Sequence, residues 1–326
     1  MVDMTKKIYI TRKIPDIGIK KLQEKGYEID IYPKENPPTK KEIIKALRKK
    51  PYDAVLTLLT DTIDKDVYDA APQAKIFANY AVGFNNVDID EAKKRGIIVT
   101  NTPGCLDMCV AEHAIAHILA LTTRLVEGDR IMRDGKYKGW SPMMCMGTDL
   151  SGKTIGIIGA GAIGTKIAEI LHKGFGVKIV YTDPKRNEKL DKEFGAEYKN
   201  TFEEVLPLVD IVSLHVPLIP STHHMINERT LSLMKKTAFL INTSRGPVID
   251  ENALVSALQK GVIAGAGLDV YEFEPKLAKG LVKLSNVVLT PHTASAREGA
   301  RNEMSEIAAN NIISFFETGS VPNKVN

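Results

Sequence analysis

Short apolar runs along this chain alternate with stretches whose apolar positions recur at three and four residues. These are the periods of buried strands and one-faced helices. Residues 7–10 read as a strand, 16–25 as a helix and 27–32 as a second strand. After the turn Asn36-Pro37-Pro38, Thr39 caps a helix that runs through 48. Strands at 54–59, 76–79 and 97–100 are separated by helices at 63–70 and 88–95. Such alternation predicts a parallel sheet with helices on both faces.

Asn101-Thr102-Pro103-Gly104 breaks the pattern. One long helix is expected next, over about 110–133, with Ala114, Ile118, Leu121 and Leu125 on one face. Residues 135–150 are irregular and hold Trp140, Pro142, Met143, Met144, Cys145 and Met146. A loop of this kind fits a subunit contact and a loop packed on its own domain equally well. From Leu150 the alternation restarts, with strands at 155–158, 177–181, 211–216, 238–242, 264–269 and 287–289. The last helix, about 294–318, lacks a strand of its own and is expected to return to the first domain. The fold class is α/β, with two doubly wound parallel-sheet domains. One comprises 1–102 and 286–326, the other 103–285.

The second domain opens with TIGIIGAGAIGTKIAEILHKGFGVKIVYTD, residues 154–183. It reads strand, glycine turn, helix, strand, acid, the order of a dinucleotide-binding unit. Gly159 allows the tight turn, Gly161 lets a pyrophosphate approach the backbone, and Gly164 lets the helix pack on the sheet. The helix N-terminus favours phosphate. Asp183 follows the last glycine by 183 − 164 = 19 residues, in place to accept the ribose hydroxyls of an adenosine. A glycine pattern alone would be weak; the strands, helix and acid around it carry the reading. The bland alternative is a doubly wound sheet that binds another ligand or none. Asp183 favours NAD, while Lys185 and Arg186 leave NADP open.

The 326 residues suit two domains, and 44% hydrophobic with 26% charged residues is ordinary for such a fold. The net charge of +4 is scattered, with no basic run that would suggest nucleic acid. Three cysteines, Cys105, Cys109 and Cys145, argue for a reducing compartment. The apolar run near the N-terminus is too short for a signal peptide, and no stretch of about eighteen apolar residues predicts a membrane span. A cytoplasmic location is expected. His113 and His117 stand four apart after Glu112, but E-H-x-x-x-H is not the zincin order and no third ligand accompanies it. They are read as structural, and no metal is expected. His223-His224 is read as a solvated turn near the adenine.

Three strand ends in the second domain carry polar residues: Arg245 after 238–242, Glu274 beyond Asp269, and His292 after Pro291. Ligands bind at the carboxyl ends of such strands. An Arg clamps carboxylates, a His moves protons near neutral pH, and an acid beside it orients the ring. With nicotinamide, the set describes reduction of a 2-keto acid. Singly, such an Arg is usually a salt bridge and such a His structural.

The chain resembles the D-isomer-specific 2-hydroxyacid dehydrogenases, and most closely their glyoxylate/hydroxypyruvate reductase branch. The motifs are NYAVGFNNVD at 79–88, GKTIGIIGAGAIG at 152–164, INTSRGPVIDENAL at 241–254, GAGLDVYEFEP at 265–275 and LTPHTAS at 289–295. The resemblance implies that Arg245 holds the substrate carboxylate, His292 is the acid/base and Glu274 supports it. It implies substrate contacts from Leu59, Ala81, Val82 and Gly83. It also implies cofactor contacts from Ala162 and Ile163 at the phosphates, from Pro217 and Thr222 on the adenosine side, and from Thr243, Asp269 and Ala294 near the nicotinamide. By resemblance, the first domain is a flavodoxin-like substrate domain, a cleft separates it from the NAD(P)-binding domain, and the helix near 110–133 makes a homodimer. The expected reaction is NAD(P)H-dependent reduction of glyoxylate or hydroxypyruvate to the D-2-hydroxy acid. Formate dehydrogenases carry Gln where Glu274 stands, which weighs against that chemistry. A D-lactate- or D-3-phosphoglycerate-type dehydrogenase is the nearer alternative, and an NADH-sensing protein of the corepressor type the more distant one.

Overall fold

The computed structural model describes residues 5–326. They form two units: residues up to Leu106 with Ala296–Asn326, and Asp107–Ser295.

The first unit runs β1 (Lys7–Ile10), α1 (Asp16–Glu24), β2 (Glu28–Ile31), α2 (Lys40–Leu47), β3 (Ala54–Leu58), α3 (Lys65–Ala70), β4 (Ile76–Tyr80), α4 (Ile89–Lys94) and β5 (Ile98–Thr100). Its strands are parallel in the order β2-β1-β3-β4-β5, the flavodoxin-like winding. β3 and β4 are buried along their whole length, as apolar strands covered on both faces must be. Behind them Phe77 meets Tyr68 edge-on, with ring centroids 5.0 Å apart. Burial of such a ring is worth about 2–3 kcal/mol. α2 begins where it does because Thr39 accepts the Glu42 N–H while Glu42 accepts the Thr39 N–H.

The second unit runs α5 (Asp107–Thr122), α6 (Leu125–Arg133), β6 (Thr154–Ile158), α7 (Ala162–Phe175), β7 (Lys178–Thr182), α8 (Glu188–Phe194), β8 (Glu197–Tyr198), α9 (Phe202–Val205), β9 (Ile211–Leu214), α10 (Glu228–Leu231), β10 (Phe239–Asn242), α11 (Glu251–Lys260), β11 (Gly265–Leu268) and β12 (Val287–Leu289). Its seven parallel strands lie in the order β12-β11-β10-β9-β6-β7-β8. The winding reverses between β6 and β9, the position where doubly wound sheets bind ligands. α12 (Glu298–Thr318) belongs to the first unit, where it packs on α1 and β4. Ser305 of α12 accepts the Gly18 N–H and donates to the Pro15 carbonyl.

Three expectations are corrected. The single helix over 110–133 is two helices that meet at 66°. Arg124 takes the left-handed conformation (φ 55°), and the Thr122 and Thr123 hydroxyls turn back onto the Ile118 and Leu119 carbonyls. Arg124 then holds Glu127 and the Met146 carbonyl. The apolar repeat continues across the break, which conceals it. Second, residues 286–295 lie in the second unit, because β12 pairs with β11, and residues up to 106 lie in the first. Third, the last helix starts at Glu298 rather than 294, because the Ala294 N–H donates to the Asp269 side chain. Among the described residues no single helix is long and apolar enough to cross a membrane.

Candidate active site

The glycine turn sits at the reversal point. Gly159 leaves β6 with φ 96°, and a Cβ there would lie 2.8 Å from the His215 backbone after β9. A Cβ on Gly164 would overlap the Gly159 carbonyl oxygen, so the first turn of α7 lies directly on the end of β6. Gly161 is different: it is exposed, and a Cβ there would meet nothing within 4 Å. That leaves an open approach to the N-terminus of α7 at Ala162 and Ile163, whose first-turn N–H groups have no partner within the helix. Asp183, one residue past β7, accepts the Ala160 N–H at 2.9 Å and the Lys185 N–H at 3.0 Å. Arg186 turns to Asp191, 2.7 Å away, and lies over the Tyr198 ring. Beyond β9, the Thr222 hydroxyl donates to the Pro217 carbonyl and accepts the Ile219 N–H, which closes that loop. His223 is exposed as expected, but His224 lies 2.8 Å from the largely buried Glu272 and is not merely a solvated turn residue.

Arg245, Glu274 and His292 lie at the carboxyl edge of the same sheet, after β10, β11 and β12. Asn242 builds the first turn: its amide donates to the Arg245 carbonyl, and its oxygen accepts the Ser244 N–H and hydroxyl. Gly246 lets this turn touch the chain beyond β11, since a Cβ would overlap the Tyr271 carbonyl. Burial lowers the pKa of Arg245 and the charge of Glu274 opposes that shift. The guanidinium is partly desolvated and donates to the Ser244 carbonyl at 2.7 Å.

Glu274 accepts the Tyr271 N–H at 3.0 Å through Oε1 and meets His292 Nδ1 at 3.0 Å through Oε2. Burial pushes its pKa up, but the His292 contact and the Tyr271 N–H outweigh burial, and the carboxyl lies below its ordinary range. His292 has φ 53°, and its N–H donates to the Asp269 carbonyl at 2.8 Å. The Tyr271 hydroxyl reaches the Thr290 carbonyl from behind.

Asp269 and Ala294, expected near the nicotinamide, lie together in the turn that carries His292. Asp269 is 0% exposed, and its oxygens are occupied by the Thr290 hydroxyl and the Thr293 and Ala294 N–H groups. It frames the turn that carries His292. Burial pushes the Asp269 pKa up, but His113, Thr290 and the two N–H groups overcome this and hold it at about 2. Thr243 is buried and its hydroxyl has no hydrogen-bond partner among the described residues, the state of a group that a ligand amide could satisfy.

In the first unit, Leu59 follows β3, and Ala81, Val82 and Gly83 follow β4. Asn86 donates to the Leu58 and Asp61 carbonyls, and Asn79 donates to the Gly83 carbonyl and to Asn86. This amide pair joins the two loops at the carboxyl edge of the five-stranded sheet. The sequence patterns did not single out Asn79, Asn86, Asn242 and Gly246. Their signal is that each is a small or amide residue at a strand end or in the loop that follows it, where turns are closed by side chains.

A doubly wound sheet with a glycine turn at its reversal point, an acid after the next strand and an Arg–Glu–His set on the same edge defines a nucleotide-dependent oxidoreductase. Residues 115–294 match the NAD binding domain of the D-isomer specific 2-hydroxyacid dehydrogenases, and the chain belongs to this family. A glyoxylate reductase from Korarchaeum cryptofilum is 50% identical, with 99% of this chain and 96% of that one covered. One from Thermococcus litoralis is 49% identical, with 99% and 97% covered. An NADPH-dependent glyoxylate/hydroxypyruvate reductase from Sinorhizobium meliloti, solved with NADP and malonate, is 33% identical with a TM-score of 0.86, with 98% and 96% covered. The second unit is thus the dinucleotide-binding domain of an NAD(P)-dependent enzyme.

Proposed function

We propose that this enzyme reduces glyoxylate, and hydroxypyruvate beside it, to glycolate and D-glycerate. The observation that carries the reading is the 3.0 Å contact between His292 and Glu274 on the sheet edge that also bears Arg245. Half-identity to glyoxylate reductases over almost the whole chain supports the substrate class.

The open flank of Gly161, the unpartnered Thr243 hydroxyl and the fixed Asp183 carboxylate fit a dinucleotide. When bound, it supplies the hydride that reaches the keto carbon. Arg245 holds the substrate carboxylate by a forked, charge-assisted pair and polarises the keto oxygen. His292 delivers the proton to that oxygen, and in the reverse direction takes it from the hydroxyl. Glu274 keeps the ring oriented and its charged form stabilised. Asp183 opposes a 2′-phosphate, and Arg186 is already neutralised by Asp191, so NADH is preferred to NADPH.

The working form is a homodimer. α6 has no buried residue, and the segment after it leaves Trp140 80% and Met143 72% exposed, apolar surface suited to a second copy of the chain. Free cysteines fit a cytoplasmic enzyme.

The test is cofactor oxidation with glyoxylate, hydroxypyruvate, pyruvate and phenylpyruvate, each with NADH and NADPH. Glyoxylate and hydroxypyruvate with NADH should give the highest kcat/KM, and His292→Ala should lower it by about 10²–10⁴-fold. NADH binding without turnover across the panel would replace this reading with a sensing role.

A further inference from the structure

His113 and His117 stand outside the reaction described above, yet both reach the turn that carries His292. The Thr290 hydroxyl lies 3.0 Å from His113 Nε2, 2.9 Å from His117 Nε2 and 2.6 Å from Asp269 Oδ1. Thr290 has one proton to give. The short contact with a carboxylate takes it. Both imidazoles must then act as donors, so each carries hydrogen on Nε2. Burial holds His117 neutral at neutral pH, with its pKa lowered to about 4, and its Nδ1 lies against the Gly267 backbone. His113 Nε2 also lies 3.3 Å from Asp269 Oδ1, so its N–H is shared between the hydroxyl and the charge.

Asp269 in turn gathers three consecutive N–H groups: its carbonyl accepts that of His292, and its side chain those of Thr293 and Ala294. This triple hold fixes the left-handed conformation at His292 and with it the ring facing Glu274. A residue other than glycine in that conformation persists only where its surroundings impose it.

We propose that His113, on α5, is a positioning residue for His292, acting through Thr290 and Asp269. The titratable and charged groups around this turn are Glu274, Arg245, Asp269, Tyr271, His113 and His117. The inference rests on the acid/base reading of His292.

The experiment compares His113→Ala, His113→Gln, Thr290→Val and the double variant His113→Ala/Thr290→Val in the full-length enzyme. NADH affinity is followed by fluorescence, kcat by turnover of glyoxylate, and pH dependence over the alkaline limb of reduction. His113→Ala and Thr290→Val should each lower kcat by about tenfold to 100-fold, the scale of a small misplacement of a reacting group. NADH affinity should stay within about twofold of the parent, since the glycine turn is untouched. The alkaline limb should move to lower pH, because a ring turned away from Glu274 loses the carboxylate that supports its charged form. The double variant should be no worse than the poorer single, and His113→Gln, which keeps a donor, should recover most of kcat. If His113→Ala does not fold, Thr290→Val and His113→Gln against the parent carry the same comparison. Parental kcat and an unmoved limb, with only Tm lowered, would overturn the inference while leaving an inactive His292→Ala to uphold the mechanism. A fully active His292→Ala would overturn both.

Discussion

Glu274 holds His292 from one side while its own second oxygen is held by the Tyr271 N–H, so a single carboxylate ties the end of β11 to the end of β12. Its pKa is below the ordinary range, so it remains ionised through neutral pH. Glu274→Gln keeps the shape and removes the charge. The expected result is a loss of about tenfold to 100-fold in kcat for glyoxylate reduction, the scale of weakened general-acid catalysis. The alkaline limb of the rate profile should shift to lower pH, since the charged imidazole has lost its counter-charge. Steady-state rates from pH 5 to 9 measure both, and an unmoved limb would remove Glu274 from its role.

The strands, the glycine turn and the acid after β7 could be read in the sequence because each depends on local residue types. Apolar runs mark β3, β4 and β6, and Gly159, Gly161 and Gly164 occupy fixed offsets after β6. The rest depends on contacts distant in sequence. Nothing near Arg124 announces the break between α5 and α6, because Leu125 continues the apolar repeat while the left-handed backbone is fixed by Glu127 and the Met146 carbonyl. β8 has two residues, too few for a periodicity. The approach of the Arg245 turn to the chain beyond β11 depends on Gly246 lying against Tyr271, and the burial of Asp269 depends on Thr290 and Ala294 more than twenty residues on. The pattern E-H-x-x-x-H was visible, but its connection to Thr290 lies 173 positions away for His117.

The glycine turn separates binding from folding. A Cβ on Gly161 meets open space and φ is −70°, so Gly161→Ala should fold with an unchanged Tm. Its methyl stands where a pyrophosphate must approach, so the Kd for NADH should rise about tenfold or more, a loss near 1.4 kcal/mol. Gly164→Ala should do the reverse at first order. Its Cβ overlaps the Gly159 carbonyl oxygen and lies 2.9 Å from Ile157 Cγ2, an overpacking that costs about 1–3 kcal/mol of stability. Thermal melts with NADH titration distinguish the two, and equal effects on Tm would contradict the geometry.

Cofactor choice should turn on the charge of Asp183. Asp183→Asn retains an oxygen to accept the Ala160 N–H, so the end of β7 keeps its shape. The negative charge that opposes a 2′-phosphate is gone. The ratio of kcat/KM for NADPH over NADH should rise by about tenfold to 100-fold, corresponding to ~1–3 kcal/mol of relieved repulsion at a partly solvated site. Adding Arg186→Ala should change little, because Arg186 is paired with Asp191. A collapse of NADPH use in the double variant would show that Arg186 serves the phosphate after all.

Two histidines whose pKa values are lowered should make the fold acid-sensitive well above the carboxylate range. Burial lowers His117 to about 4 and His215 to about 3, and His215 shares a 2.8 Å hydrogen bond with Ser213. A free histidine titrates near 6.5. Between these values the unfolded chain binds protons that the folded chain refuses, so stability is complete above about pH 6.5 and falls as pH drops toward 4. Each histidine contributes at most about 1.4 kcal/mol per pH unit in that window. The Asp269 carboxyl, lowered to about 2, adds its loss only below about pH 4, where the unfolded chain takes up that proton as well. Urea unfolding at pH 7.5, 6.5, 5.5 and 4.5 should show stability flat over the first interval and falling over the next two. His117→Gln should start from a less stable protein but lose roughly half as much between pH 6.5 and 4.5. An equal slope in the variant would mean that His117 is protonated in the folded enzyme, and the donor–acceptor assignment at Thr290 would need a charged ring there.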